Sequence, residues 1–212
     1  MENERRIDRT TSMGMDEHRL SDILHASQIK ATDIYETPPQ IIWIDNSTIA
    51  TLGNFSASTG KAKSKKTFNV SALVAASLAG KQVLNYRAHL PEGKQRILYV
   101  DTEQSRFHCR SVLERILRLA GLPTTTDPEN LDFFCLREYS PSVRIEVIDY
   151  ALRQQKGYGL VIIDGIRDLM LDINNAGESV EVIDRMMEWS SRYDLHIHCV
   201  LHLNKGDNNV RG

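Results

Sequence analysis

The stretch GKAKSKKT, from Gly60 to Thr67, has the residue types and almost the spacing of a phosphate-binding loop. The common pattern is G-x-x-x-x-G-K-[ST], in which backbone N–H groups surround the phosphates, the lysine reaches them and the hydroxyl binds Mg²⁺. Gly60, Lys66 and Thr67 match this pattern, whereas Lys65 stands where the second glycine belongs. The stretch therefore predicts a triphosphate site with one irregular position.

The irregular position allows two interpretations. If the backbone of Lys65 needs a positive φ, its Cβ costs about 1–2 kcal/mol, which a domain tolerates, and its ammonium adds charge toward the phosphates. The alternative is a solvated basic turn, because Lys61, Lys63, Lys65 and Lys66 fall within one short stretch. The loop by itself does not decide between these interpretations.

Acidic residues that follow two apolar segments supply the chemistry that a triphosphate site needs. The segment LVIID ends in Asp164 and has the form of a Walker B motif, whose carboxylate holds Mg²⁺ through water opposite Thr67. The segment ILYVDTE places Asp101 and Glu103 after a second apolar run, where a carboxylate can orient and deprotonate an attacking water. Glu103 reaches farther beyond the run and is the predicted general base. The alternative for each acid is a solvated loop residue.

The segment LHIHCVLHL alternates between polar and apolar residues, as a strand with two different faces does. His196, His198 and His202 share one face. A zinc site is disfavoured because no carboxylate or cysteine stands at a suitable spacing. His202 lies toward the carboxyl end and is predicted to sense the γ-phosphate, whereas ordinary strand packing is favoured for the other two histidines.

Strands and helices alternate along most of the chain and must position these residues. The patterns predict strands at 41–44, 49–55, 96–100, 131–136, 160–163 and 195–203. They predict helices at 67–79, 107–120, from Pro141 to near Gly157, and at 178–192, with a short amphipathic helix from Ser21. The phosphate loop is expected at 56–65, between its strand and its helix. This alternation predicts an α/β fold whose mainly parallel central sheet carries helices on both faces.

The bulk composition is that of a globular protein with a substantial core. Of the 212 residues, 41% are hydrophobic and 25% charged, which is sufficient for one large domain. We expect a charged tail and a short helix at 1–37 and a nucleotide-binding domain at 38–212. Because little follows the last strand, we also expect the natural protein to continue beyond Gly212.

Charge and cysteine content limit the classes of partner and location. The formal net charge of −2 gives no general positive field for nucleic acid, although a neutral protein can contain a basic groove. No apolar run approaches the roughly 18–20 residues of a membrane span. The three widely spaced cysteines suit reduced thiols, so a soluble cytoplasmic protein is expected.

Taken in order, these motifs resemble the RecA/DnaB branch of P-loop ATPases. That branch has a glutamate after the strand that follows the Walker A helix, here YVDTE, and a polar sensor on a later strand, here VLHLNK. More narrowly, GKAKSKKTF, VDTEQS, IIDGIRDLMLDIN and LHLNK resemble RepA-like ATPases of plasmids, phages and mobilizable elements, in which the second Walker A glycine is often basic. The resemblance covers roughly residues 38–212 and implies a RecA-like P-loop NTPase fold.

The resemblance implies ATP and Mg²⁺ as ligands. It makes Glu103 the general base, Asp164 the Walker B acid and His202 the sensor, with Lys66 acting on the phosphates and Thr67 on the metal. The implied nucleotide-binding residues are Gly60, Lys61, Ala62, Lys63, Ser64, Lys65, Lys66, Thr67 and Phe68. Asp168 lies in the family signature IRDLMLDIN, where it either helps the Mg²⁺ shell or caps the loop.

The resemblance also implies a homo-oligomeric ring, with a hexamer favoured. A basic residue from the neighbouring subunit would complete each site, and Lys205 and Arg211 are the candidates. The first interpretation of function is an ATPase acting on the DNA of a mobile element, in replication (including helicase action), mobilization or excision. The second is a nucleotide-dependent loader or regulatory module with little hydrolysis. A small-molecule kinase is third, because no acceptor-binding lid is evident.

Overall fold

The computed structural model describes residues 16–61, 64–172 and 176–203. Within these ranges, the side chains of Lys61, His202 and Leu203 are not described. Two compact units divide the chain, Met1–Thr37 and Pro38–Gly212.

The first unit contains one described helix, α1 (Glu17–Ser27). It begins before the predicted start at Ser21, because Asp16 caps it by accepting a 2.8 Å hydrogen bond from the N–H of Arg19. No residue of α1 is buried. Among the described helices of the whole chain, none has the length and apolar character needed to cross a membrane.

The second unit follows the predicted alternation and adds elements to it. Its described strands are β1 (Gln40–Ile44), β2 (Ser47–Thr51), β3 (Phe55–Lys61), β4 (Tyr86–Ala88), β5 (Arg96–Asp101), β6 (Leu131–Cys135), β7 (Tyr158–Asp164) and β8 (His196–Leu203). Its described helices are α2 (Lys66–Ala79), α3 (Arg106–Ala120), α4 (Pro141–Gln154), α5 (Ala176–Arg192) and a short 3₁₀ helix, Ile166–Leu169.

Five parallel strands form the main sheet in the order β3-β8-β7-β5-β6. A separate antiparallel sheet has the order β2-β1-β4. Strand β7 lies in the middle of the parallel sheet and all of its residues are buried, as its continuous apolar run predicts.

Helices cover both faces of the parallel sheet. Because side chains alternate along a strand, Tyr99 and Ile162 join the core under α2 and α3, whereas Val161 and Ile163 join the core under α4 and α5. The predicted α/β fold, with a mainly parallel sheet and helices on both faces, is therefore confirmed.

The strand that leads into the phosphate loop lies later in the chain than predicted. Residues 49–51 belong to β2, and Gly53, with φ of 74°, lies in the turn that follows. Strand β3 then extends from Phe55 to Lys61 because it pairs residue by residue with β8. The predicted loop at 56–65 is therefore mostly strand, and only residues 62–65 separate β3 from α2.

A hydrogen-bond chain of serines and histidines joins β3 to β8. His196 Nδ1 donates to the carbonyl oxygen of Thr51 at 2.9 Å, so His196 Nε2 accepts from the Ser56 hydroxyl at 2.8 Å. The Ser56 oxygen then accepts from His198 Nδ1 at 2.8 Å, and His198 Nε2 accepts from Ser58 at 2.9 Å. Every ring nitrogen has a partner, which makes these buried rings a stable part of the core when they are neutral.

The histidine chain predicts acid sensitivity. Burial lowers the pKa of both His196 and His198 from 6.5 to about 4. The unfolded chain therefore binds protons below pH 6.5 while the folded chain does not, so stability is fully present above pH 6.5 and decreases toward pH 4. We expect a loss of up to about 3 kcal/mol per histidine, measured by urea denaturation at each pH.

The control for this prediction is a chain without the two titrating rings. The double variant His196→Gln, His198→Gln should start from lower stability but show a much flatter profile between pH 6.5 and 4. The variant His89→Gln alters an exposed ring and should keep the wild-type slope. An unchanged slope in the double variant would assign the acid sensitivity to other groups.

Candidate functional site

The strand register brings the predicted site residues to one edge of the sheet. Val200, Asp164 and Asp101 are paired across β8, β7 and β5, so the two acids lie side by side where their strands end. Gly60 pairs with His202 farther along the same edge. Carboxyl ends of parallel strands are the usual ligand-binding edge of an α/β sheet, and these residues therefore share a common site.

The backbone of Lys65 explains why the loop pattern has a glycine at this position. Lys65 has φ of 61° and ψ of 24°, in the left-handed region, and directly precedes α2. Its carbonyl oxygen accepts the N–H groups of Phe68 and Asn69 at 3.0 and 3.1 Å, so this conformation starts the helix. A side chain with a Cβ costs about 1–2 kcal/mol here, a cost that the chain accepts.

The ammonium of Lys66 folds back over the loop. Lys66 Nζ donates to the carbonyl oxygen of Gly60 at 2.7 Å and to Ser64 Oγ at 3.3 Å, and the residue is only 6% exposed. A Cβ at Gly60 would lie 2.6 Å from Ser64 Oγ, so the first glycine of the pattern makes room for this closure. A buried ammonium next to the N-terminus of α2 favours an anion such as phosphate.

The next two residues of the pattern lie in the first turn of α2. Thr67 is half-buried, and its carbonyl oxygen accepts the Ser71 hydroxyl at 2.6 Å. Phe68 is 41% exposed. The backbone of both residues therefore belongs to the helix, while their side chains remain partly accessible.

A buried carboxylate fixes the turn that carries Glu103. Asp101 is fully buried, and its Oδ1 accepts the backbone N–H groups of Glu103 at 3.1 Å and Gln104 at 2.7 Å. Its Oδ2 accepts the side-chain amide of Gln104 at 2.8 Å. Of the two acids that the sequence placed here, Asp101 holds the turn, and Glu103 is the one that solvent reaches.

The charge on Glu103 is influenced by the rest of the site. Partial removal from water raises the pKa of Glu103, the negative charges of Asp168 and Asp101 raise it further, and the ammonium of Lys66 lowers it. A carboxylate with a raised pKa is a stronger proton acceptor than an ordinary glutamate.

The carboxylate at the end of β7 has a donor that the sequence patterns did not indicate. Asp164 is 3% exposed, and its Oδ2 accepts a 2.9 Å hydrogen bond from the hydroxyl of buried Tyr99 on β5. Asp164 and the Thr67 hydroxyl are hard oxygen donors, which suit Mg²⁺. No group of three or more His, Cys, Asp or Glu side chains in the described part of the chain could hold a metal alone. This donor set fits Mg²⁺, an ion that usually retains waters and binds substrate phosphates.

The residue after Asp164 lies in a crowded turn. Thr102 Oγ1 is 2.9 Å from Asp168 Oδ2, 3.0 Å from the Asp164 carbonyl oxygen and 2.9 Å from that of Gly165. Gly165 has φ of 106°, and a Cβ there would lie 2.3 Å from Thr102 Oγ1 and 3.0 Å from Glu103 Cγ. Only glycine fits this turn without movement of its neighbours. The contacts of Thr102 join the end of β5 to the end of β7.

Arg144 on α4 supports the same turn from outside. Its guanidinium donates to the carbonyl oxygens of Asp168, Leu136 and Arg137, and so ties the segment after β6 to the 3₁₀ helix after β7. The carboxylate of Asp168, for which a metal role and a capping role were both open, contacts Thr102.

Sequence reasoning missed three residues of this site: Tyr99, Thr102 and Gly165. The sequence carried a signal for two of them. Tyr99 and Asp101 are two residues apart and therefore share one face of β5. A buried tyrosine needs a partner for its hydroxyl. Gly165 directly follows the acid at the end of a strand. A glycine in such a position indicates a turn with positive φ or a close approach of neighbouring atoms.

Several predicted residues cannot be placed structurally. Ala62, Lys63, Lys205 and Arg211 lie outside the described residues. For Lys61 and His202 the structure describes the backbone in β3 and β8 but not the side chains. Their proposed contacts with nucleotide stay predictions.

The crowding around Gly165 gives a stability prediction. The variant Gly165→Ala should lose about 1–2 kcal/mol from the positive φ and a further 1–3 kcal/mol from the forced displacement of Thr102 and Glu103. Gly93→Ala is the matched control, because Gly93 has φ of 76° but no heavy atom within 4 Å of the added Cβ. Urea denaturation should show the larger loss at Gly165. Equal losses would mean that the neighbouring side chains move without cost.

The strain at Lys65 predicts a stabilising substitution, in contrast to the destabilising one at Gly165. Lys65→Gly relieves about 1–2 kcal/mol of backbone strain and loses about 0.4–1 kcal/mol through the more flexible unfolded chain, so stability should rise slightly. Asn69→Gly, in the regular part of α2, should instead destabilise by a few tenths of a kcal/mol. Denaturation of both variants checks the signs, and a destabilised Lys65→Gly variant would contradict the prediction. Unchanged ATP affinity would show that the Lys65 side chain contributes nothing to binding.

Comparison with known families agrees with this geometry. The family model AAA_25, described as AAA domain, matches residues 20–208. No curated protein matches the chain. The family consists of P-loop ATPases of the RecA-like type, which accounts for the parallel sheet, the loop before α2 and the acids at the ends of β5 and β7. The chain has a RecA-like P-loop NTPase fold and belongs to the AAA domain family.

Proposed function

We propose that this chain binds Mg²⁺–ATP and hydrolyses it, with Lys66, Glu103 and Asp164 at the reacting centre. The observation that supports this most directly is their common position at one sheet edge. Lys66 bonds to Gly60 at the end of β3, and a Cβ on Gly165, next to Asp164, would lie 3.0 Å from Glu103 Cγ. Membership in a P-loop ATPase family supports nucleotide use in general.

Each residue has a role that follows from its chemistry. Loop N–H groups and the Lys66 ammonium hold the phosphates and meet the negative charge that develops in the transition state. Thr67 and Asp164 would hold Mg²⁺, Asp164 through water, and bound Mg²⁺ neutralises phosphate charge. Glu103 accepts a proton from the water whose oxygen attacks the γ-phosphorus, and the bond to the β-phosphate oxygen breaks, leaving ADP and phosphate.

A finer assignment rests on the motif resemblance of residues 38–212. We propose that the ATPase acts on the DNA of a mobile element, in replication, mobilization or excision, as a homo-oligomeric ring in which a hexamer is favoured. In that arrangement His202 senses the γ-phosphate, and Lys205 or Arg211 of a neighbouring subunit completes the site. The position of His202 opposite Gly60 supports the sensor assignment.

The proposed general base is tested by Glu103→Gln. We expect ATP turnover to fall about 10²–10⁴-fold, because the amide cannot accept the proton, while ATP affinity changes little. Glu138→Gln is the control, since Glu138 is an exposed glutamate in the segment after β6, and it should keep wild-type turnover. Lys66→Ala should lose ATP binding itself.

The outcomes separate the alternative functions. Turnover measured with single-stranded DNA added in steps should rise if the ATPase acts on DNA, and indifference to DNA would contradict that assignment. Tight ATP binding without measurable turnover in the wild type would contradict the ATPase and favour a loader or regulatory module. Phosphate transfer to a small acceptor in place of water would indicate a kinase.

A further inference from the structure

Tyr99 is a fully buried polar residue with its hydroxyl directed at the site. On β5 it pairs with Ile162 of β7, and Asp164 follows Ile162 by two residues on the same face of that strand. Two residues rise about 6.6 Å along a strand, a distance that a tyrosine side chain crosses. The Tyr99 hydroxyl therefore meets Asp164 Oδ2 at 2.9 Å, diagonally across the two strands.

The ring of Tyr99 is held on its other side. It stacks on Phe133 of the edge strand β6, with ring centroids 4.3 Å apart and ring planes 8° from parallel. Phe133 is also the register partner of Tyr99. The close packing of these rings leaves the hydroxyl little freedom, so the hydrogen bond to Asp164 has a set direction.

The direction of this hydrogen bond matters for the carboxylate. An ionised carboxylate only accepts hydrogen bonds, so the tyrosine hydroxyl donates and fixes the rotation of the carboxyl group. A bond of this kind to a charged group is stronger than one between neutral groups. Residues that orient a metal-binding carboxylate from behind commonly affect metal affinity by about 10–100-fold.

We infer that Tyr99 is a positioning residue for Mg²⁺-dependent nucleotide binding, acting by orienting the carboxylate of Asp164. The inference rests on the proposed function, since it assigns Asp164 to the Mg²⁺ of bound nucleotide. Tyr99 itself does not contact substrate in this role. Phe133 contributes by keeping the tyrosine ring in place.

The chain offers a matched control. Tyr158 at the opposite end of the sheet also donates a hydroxyl hydrogen bond, 2.5 Å long, to an aspartate on another strand, Asp132. Tyr99→Phe and Tyr158→Phe each remove one interstrand hydrogen bond from a buried tyrosine and keep the ring. Tyr158→Phe should cost less stability, because the Asp132 side chain is 30% exposed and keeps its 2.8 Å bond to Arg96. It controls for the loss of an interstrand hydrogen bond, and only Tyr99→Phe alters the site.

The experiment measures binding of a fluorescent ATP analogue to the full chain while Mg²⁺ is varied, together with binding in excess EDTA. For Tyr99→Phe we expect the Mg²⁺ concentration at half-maximal binding to rise about tenfold, with the affinity in EDTA unchanged. Tyr158→Phe should need the same Mg²⁺ concentration as the wild type. Phe133→Leu, which keeps the hydroxyl but removes the stacked ring, should give a smaller rise.

Two negative results are distinguishable. If the wild type binds the analogue in a Mg²⁺-dependent manner and Tyr99→Phe has the same Mg²⁺ requirement as Tyr158→Phe, Tyr99 is only a packing residue and the inference is wrong. If the wild type shows no Mg²⁺-dependent binding, the proposed function fails and the inference fails with it. Should Tyr99→Phe not fold, an unchanged Mg²⁺ requirement in Phe133→Leu would also overturn it.

Discussion

The register between β5 and β7 is the constraint on which the whole site depends. Asp101 and Asp164 are paired residues, and the hydroxyl of Tyr99 reaches Asp164 only in this alignment. A slip of one residue would turn every side chain of a strand to the opposite face, and would separate the turn of Glu103 from Asp164. Strand β7 is buried between helices on both faces, so a slip would force different side chains into two close-packed cores.

The two ends of the site tolerate backbone strain for different reasons. At Lys65 the left-handed conformation starts α2, and the buried face of that helix stabilises the strained residue. At Gly165 the conformation is combined with close contacts from Thr102, Asp168 and Glu103, so that a side chain is excluded. One position can therefore accept a lysine, whereas the other cannot accept even alanine without movement.

A single strand supports both proposed catalytic acids. Tyr99 and Asp101 lie on one face of β5, where they provide the donor to Asp164 and the acceptor that fixes the turn of Glu103. Because both supports are fully buried, the geometry of the acids depends on the core under α2 and α3 rather than on the surface loops. This arrangement couples the stability of the fold to the geometry of the site.

Local patterns in the sequence were sufficient for the alternating helices and strands, because apolar periodicity and capping residues act within one element. They were also sufficient to identify Lys66, Glu103 and Asp164 as candidates, since each follows or begins a recognisable motif. The start of β3 was misplaced, because residues 49–61 favour extended backbone throughout, and only pairing with β1 and β8 divides them into two strands. The roles of Tyr99, Thr102 and Gly165 became evident only in the tertiary structure. Their partners lie on another strand or in the turn that follows it, 65 residues away for Tyr99 and Asp164, and the contacts exist only after the parallel sheet has set its register.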